Sequence, residues 1–234
     1  MTSRDEALSL AVILPALNEA AALPETLAAL APLKDAGAEI LVVDGGSTDG
    51  TLAAASQAGV RTVVSARGRA LQMNAGAGST TAALLVFLHA DTRLSAPAIR
   101  VLCALAAAPA PVWGRFDVRL TGRHPAFRII ERMINLRSRL SGIATGDQAI
   151  FVHRSLFEAV GGFPGIPLME DVALSKALRG KQRPLCLRET VTTDARRWET
   201  RGIFRTVLLM WGLRGAYALG VAPERLARFY RNVR

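Results

Sequence analysis

The strongest constraint on the fold is a recurring pattern of short apolar runs that each stop abruptly at polar or glycine residues. Residues 8–14, 39–43, 60–64 and 84–88 are rich in Leu, Val and Ile at consecutive positions. Such runs predict strands covered on both faces rather than strands with one wet side. Between them lie segments with helical spacing. One begins near Pro24, a residue suited to a first helical turn, and places Leu23, Leu27 and Leu30 on one face. A second follows Asp49, and a third holds residues 71–77. The order β-α-β-α-β-α-β predicts an α/β fold: a mostly parallel twisted sheet, right-handed crossovers, and helices on both faces. A chain of 234 residues that is 50% hydrophobic fills one such core.

The second half is less regular. Residues 113–120 alternate as a strand, and residues 125–140 predict a helix with Phe127, Ile130, Met133 and Ile134 on one face and Arg128, Arg132 and Arg139 on another. Residues 147–152 predict a further strand, 154–160 a short helix closed by Gly161-Gly162, and 169–178 another helix. Two short strands are expected around Leu185 and Val191, and a last helix over 202–219. The expected organisation is one α/β domain over residues 1–200. Residues 201–234 would form a helical basic extension packed on that domain, on a partner or on a membrane surface.

Charge is placed unevenly. Residues 179–234 hold 13 basic and 4 acidic side chains, so +9 of the net +10 lies there. Anionic lipid, a phosphorylated ligand, nucleic acid and a merely solvated surface all suit such a block, and charge alone does not choose among them. The best apolar stretch, residues 203–221, is interrupted by Arg205 and Arg214 and does not predict a spanning helix. These two arginines also fall on nearly opposite sides of an ideal helix, which makes a poor membrane-surface pattern. The first residues carry Arg4-Asp5-Glu6 and no secretory core, so a cytoplasmic chain is expected, with the inner membrane face as the surface its basic end would meet. Cys103 and Cys186 sit inside apolar runs with no C-x-x-C spacing and read as small buried hydrophobes.

In open α/β sheets the ligand crevice lies at the carboxyl ends of the strands, so the residues after each apolar run carry the functional reading. The first run ends in Pro15-Ala16-Leu17-Asn18-Glu19, the second in Asp44-Gly45-Gly46-Ser47-Thr48-Asp49-Gly50, and the fourth in His89-Ala90-Asp91-Thr92. Asp44 at a strand tip before glycines can accept hydrogen bonds from a ligand imide or hydroxyl, and it can equally serve the turn into the next helix. Asp91 is placed to hold a hard divalent cation against phosphate oxygens, with His89 beside it, although an Asp at a strand end is often only a turn residue. Glu170-Asp171 open a predicted helix, where acids favour the macrodipole and where a carboxylate can also act as a general base.

Taken in order, Pro15-Ala16-Leu17-Asn18-Glu19, Val42-Val43-Asp44-Gly45-Gly46-Ser47-Thr48-Asp49, His89-Ala90-Asp91 and Glu170-Asp171 resemble the signatures of family 2 glycosyltransferases with the GT-A fold, over residues 8–180. Gly68-Arg69-Ala70-Leu71-Gln72-Met73-Asn74-Ala75-Gly76 resembles the segment that sets basic and amide groups beside the nucleotide. The Gly-Gly-Ser-Thr-Asp and His-Ala-Asp variants are similar to those of a small bacterial subgroup encoded near radical SAM, selenium or arsenosugar genes.

The resemblance implies a nucleotide-sugar donor, UDP-linked first, an acceptor hydroxyl, Mn²⁺ or Mg²⁺, inversion at the anomeric carbon, and non-processive transfer. It implies that Pro15, Ala16, Asn18 and Glu19 line the nucleotide pocket with Asp44, Gly45, Gly46 and Ser47, and that Arg69 and Asn74 lie near the diphosphate. Ala90 and Asp91 would meet the donor, Asp91 and His89 the metal, and Asp171 would be the base with Glu170 beside it. Gly146, Asp147, Gln148, Arg197 and Trp198 would lie on the acceptor side. Two departures bear on this. His89-Ala90-Asp91 replaces Asp-x-Asp, and Asp194-Ala195-Arg196-Arg197-Trp198 keeps only the Arg-Trp of the Gln-x-x-Arg-Trp signature of polymerising relatives.

The rival reading is a non-catalytic nucleotide- or nucleic-acid-binding α/β protein with a basic tail. Neither a Gly-x-Gly-x-x-Gly turn nor a Gly-Lys-Ser/Thr phosphate loop is present, and aromatics make up only 6% of the chain, few for stacking bases. No nucleic-acid partner is expected, while a membrane surface or a second copy remains a candidate partner for the C-terminal helix.

Overall fold

The computed structural model describes residues 8–232, with the side chains of residues 197, 198, 201, 231 and 232 outside that description. The strands are β1 (Leu10–Ala16), β2 (Glu39–Asp44), β3 (Arg61–Val64), β4 (Leu84–Phe87), β5 (Thr92–Leu94), β6 (Trp113–Leu120), β7 (Ile150–His153) and β8 (Leu185–Thr193). The helices are α1 (Leu23–Ala29), α2 (Ala31–Asp35), α3 (Thr51–Gln57), α4 (Arg69–Gly78), α5 (Ala96–Ala106), α6 (Pro125–Ser141), α7 (Arg154–Ala159), α8 (Glu170–Arg179), α9 (Arg196–Arg201), α10 (Ile203–Ala218) and α11 (Pro223–Asn232).

All eight strands join one sheet in the order β3-β2-β1-β4-β7-β6-β8-β5. The first four are mutually parallel, β7 runs antiparallel to both β4 and β6, β8 runs parallel to β6, and β5 antiparallel to β8. Side-chain alternation divides the core between two faces, because successive strand residues point to opposite sides. Leu10, Val12 and Leu14 pack with Leu23, Leu27, Leu30, Ala98 and Leu102 from α1 and α5. Ala11 and Ile13 pack on the other side with Ala70, Met73, Phe157 and Leu174 from α4, α7 and α8. Helix α4 lies so close that a Cβ at Gly76 would collide with Ile13 and Val43 side chains, which explains a helix-interior glycine despite its entropic cost.

Several sequence expectations change. Run 60–64 forms an edge strand, β3, with three of its four side chains exposed, because no strand lies beyond it. Residues 147 and 148 are not strand: Gly146–Gln148 form a 3-10 turn closed by a Thr145/Gln148 capping box, and β7 starts at Ile150. The two strands expected around Leu185 and Val191 are one nine-residue strand, since pairing with β6 is made by the backbone and continues past the polar Arg188 and Glu189. Cys103 and Cys186 are half-buried free thiols rather than fully buried.

Helices α10 and α11 pack back onto the domain. Leu213 and Leu226 join Ile143, Met169 and Val172 in one cluster, with Tyr217 and Tyr230 against it. A second cluster joins α6 to α10 through Phe127, Ile130 and Ile134 with Ile203 and Val207. The chain's last helices therefore touch the start of α8, where the predicted base sits.

Candidate active site

The topology brings the sequence motifs to one end of the sheet. Asp44 is the last residue of β2 and pairs in register with Ala16 at the end of β1. His89-Ala90-Asp91 leaves the end of β4, the neighbour of β1. Since β7 runs antiparallel to β4, with Ile150 opposite Phe87, the turn Gly146–Gln148 enters the sheet at that same end.

The first two loops brace each other. Asn18 adopts a left-handed φ of 57° and donates its backbone N–H to Ser47 Oγ (2.9 Å), while its side-chain oxygen accepts from Thr48 N (2.9 Å). The backbone N–H of Glu19 donates to Thr51 Oγ1 (2.8 Å), and Ala20 N to Asp49 Oδ2 (3.1 Å). Asp44 is buried and accepts from the backbone of Gly46 and Ser47, each at 3.0 Å to Oδ2. The Asp44 carboxylate thus shapes its own glycine loop, and a carboxylate has further lone pairs to offer a ligand. Gln72, buried on α4, donates to both the Ala16 carbonyl (2.7 Å) and the Val43 carbonyl (2.8 Å), and it lies directly under Gly45. Gln72, for which the sequence signals no role, ties β1 to β2 at their carboxyl ends.

Asn74 is committed elsewhere. Its amide donates to the Phe163 carbonyl (2.8 Å) and accepts from Phe163 N (3.0 Å), which clamps α4 to the segment before α8. The Ala90 carbonyl accepts from Thr26 Oγ1 (2.7 Å), and Asp91 Oδ1 stands 3.3 Å from Thr92 Oγ1 and 3.5 Å from Thr193 Oγ1. Those threonines fix the carboxylate against β8.

A small cavity of about 10 Å³, room for one water, is lined by Arg69, Met73, His89, Gly146, Glu170 and Asp171 among others. Asp171 Oδ2 accepts from the backbone N–H of Gly146 (2.9 Å) and Oδ1 from Val172 N (2.7 Å), so its carboxylate is oriented by two amides. Gly146 is pressed on His89: a Cβ there would strike the ring Nε2. Glu170 is 3% exposed and pairs with Arg69 Nη1 at 3.3 Å. Burial pushes the Glu170 carboxyl up, Arg69 pulls it back and Asp171 adds to the rise, with a net position above the ordinary value. Burial works to lower Arg69, but Glu170, Asp171 and Tyr230 outweigh it and hold the guanidinium above its usual value. Both adjacent acids line the cavity, and among the described residues only Glu170 of the two forms an ion pair.

The residues expected on the acceptor side divide. Gln148 is fully buried, accepts from Thr145 and approaches Asn135, and so builds the turn. Asp147 carries a buried Oδ1 with no hydrogen-bond partner. Arg197 and Trp198 fall in α9, with side chains outside the described set. Sequence reading also missed Arg137, whose guanidinium reaches the Ile143 carbonyl and Thr145 Oγ1, both at 3.4 Å. A 3.6-residue pattern places Arg137 on a helix, and nothing in it signals that the helix faces the site.

The family model described as Glycosyl transferase family 2 matches residues 11–161. The chain belongs to glycosyltransferase family 2. This glycosyltransferase shares its fold with solved structures at low sequence identity. A mannosyltransferase from Pyrobaculum calidifontis, solved with GDP-Man and Mn²⁺, superposes with a TM-score of 0.64 at 21% identity, covering 96% of this chain and 69% of that one. Glucosyl-3-phosphoglycerate synthase from Mycobacterium tuberculosis, solved with Mn²⁺, UDP and glucosyl-3-phosphoglycerate, gives 0.57 at 20% identity, covering 79% and 70%. Residues 1–349 of TarS from S. aureus give 0.63 at 18% identity, covering 80% of this chain and 60% of that one. No curated protein sequence matches the chain significantly. The sheet flanked by helices is thus the GT-A fold of the family 2 glycosyltransferases.

Proposed function

We propose that this glycosyltransferase moves a sugar from a nucleoside diphosphate, UDP-linked first, to an acceptor hydroxyl in one inverting, non-processive displacement. The observation that carries the reading is the shared end of the sheet, where Asp44, His89, Asp91, Gly146 and Asp171 all emerge. Pro15, Ala16, Asn18 and Glu19 with the loop Asp44-Gly45-Gly46-Ser47 hold the base and ribose. The acceptor oxygen attacks the anomeric carbon as that carbon's bond to the diphosphate oxygen breaks. The electron pair leaves with the nucleoside diphosphate, and the acceptor proton passes to Asp171.

A divalent cation suits the donor set on one condition. Among the described residues, no group of three or more His, Cys, Asp and Glu side chains gathers to hold an ion alone. Mg²⁺ and Mn²⁺ at phosphate sites need only one or two protein ligands, with substrate phosphates and water completing the shell. Asp91, with His89 near it, would hold a cation beside the donor diphosphate, and the cation would supply charge neutralisation for the leaving group. Screening UDP- and GDP-sugars for turnover with Mn²⁺ tests the reading. Asp91→Ala is expected to weaken metal-dependent donor binding at least about tenfold, and wild-type turnover that is indifferent to a chelator would remove the metal from the scheme.

A second observation concerns where the enzyme works. None of the described helices is long and apolar enough to cross a membrane. Yet α10 exposes Phe204 (78%), Leu208 (71%) and Trp211 (58%), and α6, which packs beside it, exposes Ile129, Met133, Leu136 and Leu140. Arg214 turns half inward while Arg205 stays exposed, which removes the objection that two opposed arginines spoil the apolar row. With Arg132 and Arg205 exposed beside these rows, the pair of helices suits an anionic membrane surface. Co-sedimentation with phosphatidylglycerol vesicles is expected, and Phe204→Asp with Trp211→Asp should abolish it. A stable dimer in light scattering with no vesicle binding would assign the face to a second copy instead.

A further inference from the structure

Several arginines around the sheet's far half pair with a carboxylate. Arg115 and Arg139 share Asp117, Arg128 pairs with Glu131, and Arg154 with Glu158. Arg137 on α6 and Arg214 on α10 do not: among the described residues neither forms an ion pair. Arg137 makes only the two 3.4 Å contacts to Ile143 and Thr145, and its Nε is buried with no acceptor. Arg214 likewise buries Nη2 with no acceptor. Guanidinium nitrogens left without partners in a half-buried place carry a free-energy cost that a structural role does not explain.

The two cations sit on helices that pack together, α6 and α10. Burial first, and then the charge of Arg214, push Arg137 down to about 10, while Asp147 and Asp171 act in the opposite direction. Arg137 reaches Thr145, the neighbour of Gly146, whose backbone N–H donates to Asp171, and Asp147 in the same turn buries an oxygen that also lacks a donor. The unmatched donor of Arg137 and the unmatched acceptor of Asp147 thus belong to the turn that orients Asp171, and α10, which carries Arg214, packs along α6. In the sheet order Gly146–Gln148 enters β7, three strand spacings, or about 14 Å, from the Asp44 loop after β2, while the neighbouring β4 brings His89 against Gly146.

We propose that Arg137 and Arg214 receive the anionic group of the acceptor, a phosphate or carboxylate, while Asp147 accepts a hydrogen bond from one of its hydroxyls. The acceptor is then a hydroxylated anion whose charged end is gripped by two helices and whose nucleophilic oxygen faces Asp171. Forked guanidinium donors match both oxyanions, and a second arginine adds charge without a second conformational cost on the ligand. This rests on the donor reading above only through the role of Asp171.

Inorganic phosphate is the probe. The full chain is first saturated with Mn²⁺ and UDP or GDP, whichever binds, so that the diphosphate position is filled, and is then titrated with phosphate by calorimetry and thermal shift. Phosphate is expected to bind and to raise the melting temperature. Arg137→Gln and Arg214→Gln should each weaken it about tenfold or more, Arg137→Lys should restore part of it, and Arg205→Gln, an exposed position on α10, should leave it unchanged. Phosphate excluded by bound nucleotide would place these arginines on the donor diphosphate and overturn the proposal. Equal phosphate binding in wild type and both Gln variants would overturn it as well. Absence of any nucleotide binding is a separate result that sinks the donor reading; phosphate is then titrated into the nucleotide-free chain, where the same variant comparison still decides.

Discussion

Asp171→Asn is expected to lower sugar transfer by about 10²–10⁴-fold, the usual worth of a positioned general base, while nucleotide binding stays close to wild type. The substitution is nearly isosteric. Asn keeps one oxygen, which can accept from Gly146 N–H, now donated at 2.9 Å, so the turn should hold its shape, while the second acceptor, which takes Val172 N–H, is given up. What disappears is the capacity to take a proton. Donor affinity should survive because the nucleotide loops are braced by Asn18, Ser47, Asp44 and Gln72, none of which contacts Asp171 in the structure. Single-turnover rates alongside calorimetric UDP affinity separate the two quantities. Turnover unchanged in the variant would hand the role to another group, and Glu170, pinned by Arg69 and 3% exposed, is a poor heir.

The central strands were readable because burial on both faces leaves an unmistakable mark. β1, β2 and β4 lack exposed side chains almost entirely, and their apolar runs end where the crevice begins. Position at a strand's carboxyl end then carried Asp44, Asp91 and the Gly146 turn to one place without any knowledge of side-chain geometry. Run 60–64 shows the limit of the same signal. Val63 and Val64 look like interior strand residues, but hydropathy does not reveal which strand is last in the sheet.

What sequence could not give is the set of contacts that tertiary packing makes between distant helices. Arg137 and Arg214 each look like one more basic residue on a helix, and in the sequence Arg214 is an interruption of an apolar stretch. Their common neighbourhood exists because Ile134 and Ile130 of α6 pack with Ile203 and Val207 of α10, a pairing with no local signature. The basic end of the chain was likewise read by its charge. Of the three surfaces expected for it, α11, with Leu226 and Ala227 buried, closes over the domain itself at Ile143 and Met169, at the mouth of α8.

Removing Arg69 is expected to destabilise the fold by about 2 kcal/mol at neutral pH and to do so in a pH-dependent way. Breaking one partner of a fully buried pair costs roughly 3–5 kcal/mol, because a charge is left uncompensated. Here the Arg69 side chain is 42% exposed and partly screened, so a smaller figure applies, while Glu170 is almost fully buried and bears the penalty. In Arg69→Met the Glu170 carboxyl, already above its ordinary value, loses the one cation that pulls it down and rises further. A carboxylate raised by folding costs stability once pH exceeds its unfolded value of 4.5, and the cost grows until pH passes the folded value. Arg69 stays protonated throughout that window, since its own value is raised. Wild type and Arg69→Met should therefore differ little in urea denaturation near pH 4 and separate steadily towards pH 8. Adding Glu170→Gln to Arg69→Met should recover most of the loss at pH 8, because a neutral amide no longer needs a counter-charge. A deficit in Arg69→Met that is the same at pH 4 and pH 8, or that Glu170→Gln fails to relieve, would mean that Arg69 stabilises the site by packing alone.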